Sequence, residues 1–354
     1  MKKIARRHPL MTRGFTLVEL LVSMALVTLV ALLLVSMTGA TSSTWLRTTG
    51  RIEQFRGAEA GFEAITRRLS QATLNTYWDY DDPTAPKKYL RQSDLRFISG
   101  NMTAGTNKLL TTALPRRPTQ GVFFQAPLGF VDDTTNFSGL GNLINTWGYY
   151  VEFNYEGRPP FIEALSAASK PANRWRYRLM ELMQPSNGLS IYSFTSGNPA
   201  YAGREWFSAS LPLATQPPAV LPTSPTRVLA ENIVALILRP RLSKKEEETT
   251  GKNLSKNYFY DSTVTDSDPD INPKSQLPPI IQVTMVAIDE ASANRIANGS
   301  TRPAFDLQLD TLFLDTTKFD ADLTTLQTAL SDQRISFRVF TSSVSIRGAK
   351  WSRK

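Results

Sequence analysis

The 354-residue chain contains no cysteine. Disulfides, thiol nucleophiles and thiolate-ligated metals are thereby excluded, while export is not, because many exported proteins carry no disulfide. Histidine is almost as scarce, its one copy being His8. Beyond that position there is no imidazole for a Ser-His-Asp triad, for a His-ligated zinc or for a base poised near neutrality. Acid pairs and Ser-Lys dyads survive, yet the expectation is a protein that is not an enzyme and uses no cofactor or metal. A basic run with interleaved aromatics is missing away from the termini, so no nucleic-acid partner is expected. Acids are missing too at the start: Lys2, Lys3, Arg6, Arg7 and Arg13 precede the first carboxylate, Glu19.

Directly after those cations comes the longest apolar run in the chain. Residues 14–37 read GFTLVELLVSMALVTLVALLLVSM, apolar or small apart from Glu19 and a few hydroxyls. As a helix, residues 16–37 would reach about 33 Å, against a hydrocarbon core of about 30 Å. The basic leader should hold the N-terminus in the cytoplasm and send the rest outward. A secretory signal fits less well, because its apolar core is about 7 to 15 residues long and closes on a small-residue cleavage site. Here the small residue, Gly14, stands ahead of the run. Glu19 is costly at the start of a membrane helix unless it meets a cation, which marks it as functional.

Arg13, Gly14, Phe15, Thr16, Leu17, Val18 and Glu19 match position by position the mark of type IV pilin and type II secretion pseudopilin precursors, a basic leader, a Gly, then F-T-L-x-E and an apolar helix. The chain resembles that family over about its first tenth. The resemblance implies that a prepilin peptidase cuts after Gly14 and methylates the amino group of Phe15. It also implies that Glu19 meets the N-terminal amine of a neighbouring subunit during assembly. The alternative at this segment is a plain signal anchor with Glu19 near the interface. Cleavage would remove five cations, and taking five from the 40 bases leaves 35 against 31 acids, a balance of +4. That charge points to no acidic partner.

Past Met37 a helical stripe continues through Trp45, Ile52, Phe55, Phe62, Ile65 and Leu69, with Arg47, Arg51, Glu53, Arg56, Glu59, Arg67 and Arg68 on the remaining arc. The pattern predicts one helix over residues 15–75. Its outer half should dock on a globular domain, the alternative being a coiled-coil seam to other subunits. Residues 77–121 read as loop-rich, with a turn at 78–83. Gly100 and Gly105 have phosphate-loop spacing, but Thr106 stands where Lys is required, and the match is discarded. Period-two alternation predicts strands over 147–155 and 175–179, whose aromatic rows could stack sugars or bases but read better as core. A Pro-rich connector spans 212–225. Residues 228–232 lead into a buried strand at 233–238, and further strands are expected at 281–287 and 338–347.

Residues 241–270 are the most polar. Asp266, Asp268 and Asp270 begin like a calcium loop, but Ile271 replaces the turn Gly and Leu277 the closing Glu, so a solvated, mobile loop is expected. Short helices are predicted at 289–298 and 320–333. The basic tail, Arg347 to Lys354, reads as a solvated end.

The layout from Val228 onward is similar to minor pilins, to J-type minor pseudopilins and to Verru_Chthon cassette proteins, while Glu19 argues against the K-type. The expected fold is α+β: a long N-terminal helix, transmembrane in its first half, on an antiparallel β-sheet with large insertions. Its parts are a leader (1–14), a transmembrane helix (15–37), its amphipathic continuation (38–75) and an extracytoplasmic pilin-like domain (76–354). The expected role is a minor pilin or pseudopilin in the inner membrane, processed by prepilin peptidase and assembled with other subunits into or at the tip of a type IV pilus or type II secretion-like filament. Two other classes stay open. One is a membrane-anchored adhesin, favoured by an exposed Trp/Tyr row; the other is an exported hydrolase, which needs two carboxylates within about 10 Å in a cleft.

Overall fold

The computed structural model describes residues 17–105, 107–110, 117–137, 139, 143–155, 160–166, 169, 174–192, 204–211, 225–297 and 302–352; of residues 35–36, 38–54, 160 and 163 it describes the backbone alone. The chain divides into two compact units, residues 1–53 and 54–354. In the first, the apolar run forms helix α1, Leu17–Gln54. Its hydroxyls bond within the helix, as an apolar surrounding demands. Ser23 Oγ donates to the Leu20 carbonyl at 2.9 Å, and Thr28 Oγ1 donates to those of Met24 and Ala25, each at 2.9 Å.

The expected single helix over 15–75 is corrected by the structure. Helix is interrupted at Phe55 (φ −98°, ψ 0°) and resumes as α2, Arg56–Leu69. The break adjoins Gly57, a weak helix former, and the Phe55 ring is buried in the domain core. α2 stops at Leu69 because the chain next joins a sheet, Thr73 N–H donating to the Gln125 carbonyl at 2.9 Å. Of the stripe residues, Ile65 and Leu69 are buried and Phe62 packs on Phe340 with ring centroids 5.7 Å apart, the docking face the spacing predicts. Trp45 and Ile52 lie outside the residues whose side chains are described.

The second unit continues with β1 (Tyr77–Tyr80), β2 (Tyr89–Gln92), β3 (Ile98–Asn101), β4 (Gln120–Ala126) and β5 (Asn145–Tyr155). After these come α3 (Pro160–Glu163), β6 (Trp175–Gln184), α4 (Glu205–Ser208), β7 (Thr226–Glu231), β8 (Ile233–Arg241) and α5 (Lys244–Thr250). The last elements are β9 (Tyr260–Asp261), β10 (Ile280–Ile288), α6 (Glu290–Ala297), α7 (Phe319–Asp332) and β11 (Phe337–Ser345). β7-β6-β5-β4-β3-β9 form an antiparallel sheet, β11-β10-β8 a second, and β1 and β2 a separate hairpin. The fold is thus α+β, with an N-terminal apolar helix and antiparallel sheets.

α2 lies on β7, β10 and β11, and β8 lies against β4, β5 and β6. Gly61 permits this approach of α2: a Cβ there would stand 3.1 Å from Ala230 Cβ and 3.4 Å from a Leu179 methyl. Trp147, Tyr149, Val151 and Phe153 of β5, with Tyr177 and Leu179 of β6, join Ile65 and Leu69 in the larger core. The alternation at 147–155 and 175–179 therefore reports core, with strand positions as expected.

The opposite face of that sheet is buried as well. Tyr150, Phe123, Met180 and Leu182 are covered by Ile191, Trp206, Phe207 and Leu211 in a second core. Glu152, Arg176 and Arg178, which alternation alone would leave to water, are buried as well, and each is paired. Arg176 reaches Glu290 at the start of α6, where its hydrogen bond is the main cause that pulls the Glu290 carboxyl down to about 2.

Two other expectations need correction. Residues 77–121 are loop-rich as expected but also hold three short strands and the start of β4, and 77–80 is strand where a turn is expected from 78. These strands are four residues long, too short to show a period. In 241–270, α5 is a helix with a capping box between Ser243 and Glu246 and a left-handed Gly251 at its end. Tyr258 and Tyr260 behind it are buried, so this segment is packed onto the domain. The Pro-rich connector at 212–225 lies outside the described residues except for Pro225.

Candidate functional site

Gly14 and Phe15, the expected processing and methylation positions, lie outside the described residues. Glu19 is in the first turn of α1. A carboxylate there interacts favourably with the positive end of the helix dipole. Around it Leu17, Val18, Leu20 and Leu21 are all more than half exposed. Leu17–Leu34 is long and apolar enough to cross a membrane, and none of it is buried within the chain. An exposed apolar surface this long, with one acid near its start, is of the kind that lipid or other helices cover.

The β1–β2 hairpin is a second exposed apolar surface, and sequence reasoning missed it. Tyr77, Trp78, Tyr80 and Tyr89 are between 44% and 63% exposed. In the register Trp78 opposes Arg91 and Tyr80 opposes Tyr89, which puts these four on one face. Tyr80 and Tyr89 stack with centroids 5.1 Å apart, and the Arg91 guanidinium sits 5.7 Å from the Trp78 ring. Arg91 fixes the hairpin to the tail by donating to Gln276 Oε1 (3.2 Å), the Lys350 carbonyl (3.2 Å) and Ser352 Oγ (3.0 Å).

Its connection is held by acids. Asp81 accepts from the amides of Lys87 (2.8 Å) and Lys88 (3.1 Å), and Asp82 from the hydroxyl (2.6 Å) and amide (2.8 Å) of Thr84. The Lys87 amide contributes most to lowering the Asp81 carboxyl, and the Thr84 hydroxyl to lowering that of Asp82. The available signal was two aromatic groups, Tyr77-Trp78-Asp79-Tyr80 and Tyr89-Leu90, flanking an Asp-Asp-Pro turn.

The remaining sequence candidates are scattered over the second unit. Gly100 is buried in β3, and Thr106 lies outside the described residues. Asp268 and Asp270 meet a cation of the chain itself, the Lys252 ammonium, at 2.7 and 2.9 Å. Asp306 and Asp310 line a cleft of about 460 Å³ with Phe153, Tyr177 and Phe305. Burial, and next the charge of Asp306, raises the Asp310 carboxyl.

Residues 11–35 match the family model described as the prokaryotic N-terminal methylation motif. That match, with the apolar helix, supports a membrane-anchored, type IV pilin-like protein that prepilin peptidase processes. No curated protein and no solved structure matches the chain.

Proposed function

We propose that this chain is a minor pilin or pseudopilin subunit. Prepilin peptidase cuts after Gly14 and methylates Phe15, α1 anchors the product in the inner membrane, and the unit from residue 54 onward stands on the extracytoplasmic side. Cleavage removes the five leader cations that pin the helix, leaving an amine beside apolar surface. Glu19 of one subunit then meets the amine of the next, replacing a carboxylate in lipid by an ion pair. The observation that carries this reading is the methylation motif at 11–35 directly on a membrane-length apolar helix, none of which is buried among the described residues. In this reading the subunit acts by assembly and performs no catalysis. The large unit of 301 residues (54–354) favours a tip or priming position, where its bulk is not repeated along a tightly wound shaft.

Mass spectrometry of the mature N-terminus tests this. Wild type should begin at N-methylated Phe15. Gly14→Ala should keep its leader, and Glu19→Ala should be cut normally but be absent from sheared filaments. An intact leader in wild type, or a cut beyond Met37, overturns the reading.

The exposed hairpin favours a second reading, an adhesin presented on the same anchor. Trp, Tyr and Arg are the residues that dominate binding surfaces, and the Trp78/Tyr80/Tyr89 face offers rings on which sugar faces of a polymer can stack. Retention of the full chain on insoluble cellulose and chitin, in nonionic detergent, should fall about tenfold in Trp78→Ala/Tyr89→Ala, a loss of about 1.4 kcal/mol, with an unchanged melting temperature. Retention equal to that of wild type removes this reading.

A further inference from the structure

We propose that the cleft between the last turns of α2, the loop 127–130 and the paired strands β6 and β7 is a binding site for an organic carboxylate carried on an apolar body. This site lies wholly in the second unit and is independent of the filament reading. The cleft has a volume of about 590 Å³, within the range of small-ligand sites, about 300–1,000 Å³. Arg67, Arg68 and Arg227 line it, together with Leu128, Phe130 and Met183, and no carboxylate is among its lining residues.

The charge in it exceeds what folding requires. Glu181, fully buried, is the acid that two of the three arginines, Arg68 and Arg227, share. Its Oε1 accepts from Arg68 and, at 3.1 Å, from the Tyr149 hydroxyl, and its Oε2 from Arg227 Nε at 2.5 Å. Both oxygens are thus engaged, and a single cation would have neutralised the group. Arg68 is held over the Trp147 ring, 4.2 Å from its centroid, and 3.1 Å from the Tyr149 oxygen. Arg67 makes no ion pair or side-chain hydrogen bond among the described residues, and it is exposed. Three guanidinium groups against one carboxylate leave two positive charges around the opening.

Like charges gathered at one opening repel, and an anion entering relieves that repulsion. Guanidinium forks match a carboxylate in a bidentate way. Leu128, Phe130 and Met183 supply an apolar wall that inorganic anions cannot use. The Trp147 indole N–H, buried and without a partner among the described residues, adds an unspent donor beside the cleft. Charge, fork geometry and apolar wall together select a carboxylate next to an apolar group, such as a chain terminus or an acidic side chain beside an aromatic one.

Isothermal titration calorimetry on the full chain in nonionic detergent tests the site. The probes are N-acetylphenylalanine, its amide, the blocked dipeptide acetyl-Glu-Phe-amide and inorganic phosphate. Saturable binding of either carboxylate probe is expected below about 10 mM, and which one binds distinguishes a free or terminal carboxylate from an acidic side chain. The phenylalanine amide and phosphate should bind at least about tenfold more weakly, as should N-acetylphenylalanine or the dipeptide to Arg67→Gln. Arg67 is exposed and has no side-chain partner among the described residues, so this variant should keep the fold. No saturation by either carboxylate, equal binding of the amide or phosphate, or wild-type binding by a folded Arg67→Gln overturns the proposal.

Discussion

Replacing Gly148 by valine should destabilise the second unit by about 3 kcal/mol or more. Gly148 lies directly opposite Phe123 in the β4–β5 ladder. A Cβ on it would stand 2.2 Å from Phe123 Cδ1 and 2.6 Å from Cε1, with Leu182 Cβ at 3.3 Å on the other side. Contacts that short require the ring to leave. The ring has nowhere to go, because it stacks on Phe207 at 4.0 Å between centroids and meets Trp206 edge-on at 6.5 Å, all three being buried. Inserting even one carbon into a filled core costs about 1–3 kcal/mol, and valine inserts three. The urea midpoint of the full chain in nonionic detergent should fall accordingly. Gly148→Val/Phe123→Ala should recover part of the loss by removing the ring. An unchanged midpoint in Gly148→Val would show that Phe123 does not occupy the space above Gly148.

The legible parts of the fold were those whose signal is local. Strands β5, β6, β8, β10 and β11 and helices α6 and α7 follow from periodicity and turn residues near the positions expected. The membrane-length helix and the methylation motif follow from an apolar run and seven consecutive residues. What sequence did not disclose depends on long-range contact. Glu152, Arg176 and Arg178 alternate with aromatics as solvent-facing residues do, yet they are buried on a face where Ile191, Trp206, Phe207 and Leu211 cover the neighbouring apolar residues and α6 meets Arg176. No period in the strand encodes that lid. The hairpin was obscured differently, its two short strands carrying rings on exposed faces where amphipathic alternation is absent. The cationic cleft was invisible for a third reason. Arg67 and Arg68 read as the polar arc of a helix, and only the register of β6 with β7 brings Glu181 and Arg227 beside them.

Glu152→Ala should cost about 3–5 kcal/mol, whereas removing Glu152 and its partner together should cost far less. Arg117 Nε donates to Glu152 Oε2 at 2.7 Å, with the two side chains only 2% and 4% exposed. Asn154 Nδ2 donates to Oε1 at 3.2 Å, and the Arg117 guanidinium sits 5.3 Å from the Tyr150 ring. Burial, followed by the Glu152 charge, raises the Tyr150 hydroxyl, so the phenol stays neutral and supplies no negative charge of its own. Arg178, opposite Glu152 in the ladder, is a second buried guanidinium nearby, donating to Asn154 Oδ1 at 2.8 Å. Deleting the carboxylate removes the buried anion that Arg117 and Asn154 bond, and losing one member of a buried, hydrogen-bonded ion pair is what makes such deletions expensive. Arg117→Met/Glu152→Leu removes the charge and the need for it while keeping volume. The double variant should fall within about 1–2 kcal/mol of wild type, or exceed it, giving a large coupling energy in the cycle. If instead the two single losses simply add, the pair is not coupled, and Arg117 is compensated by groups other than Glu152.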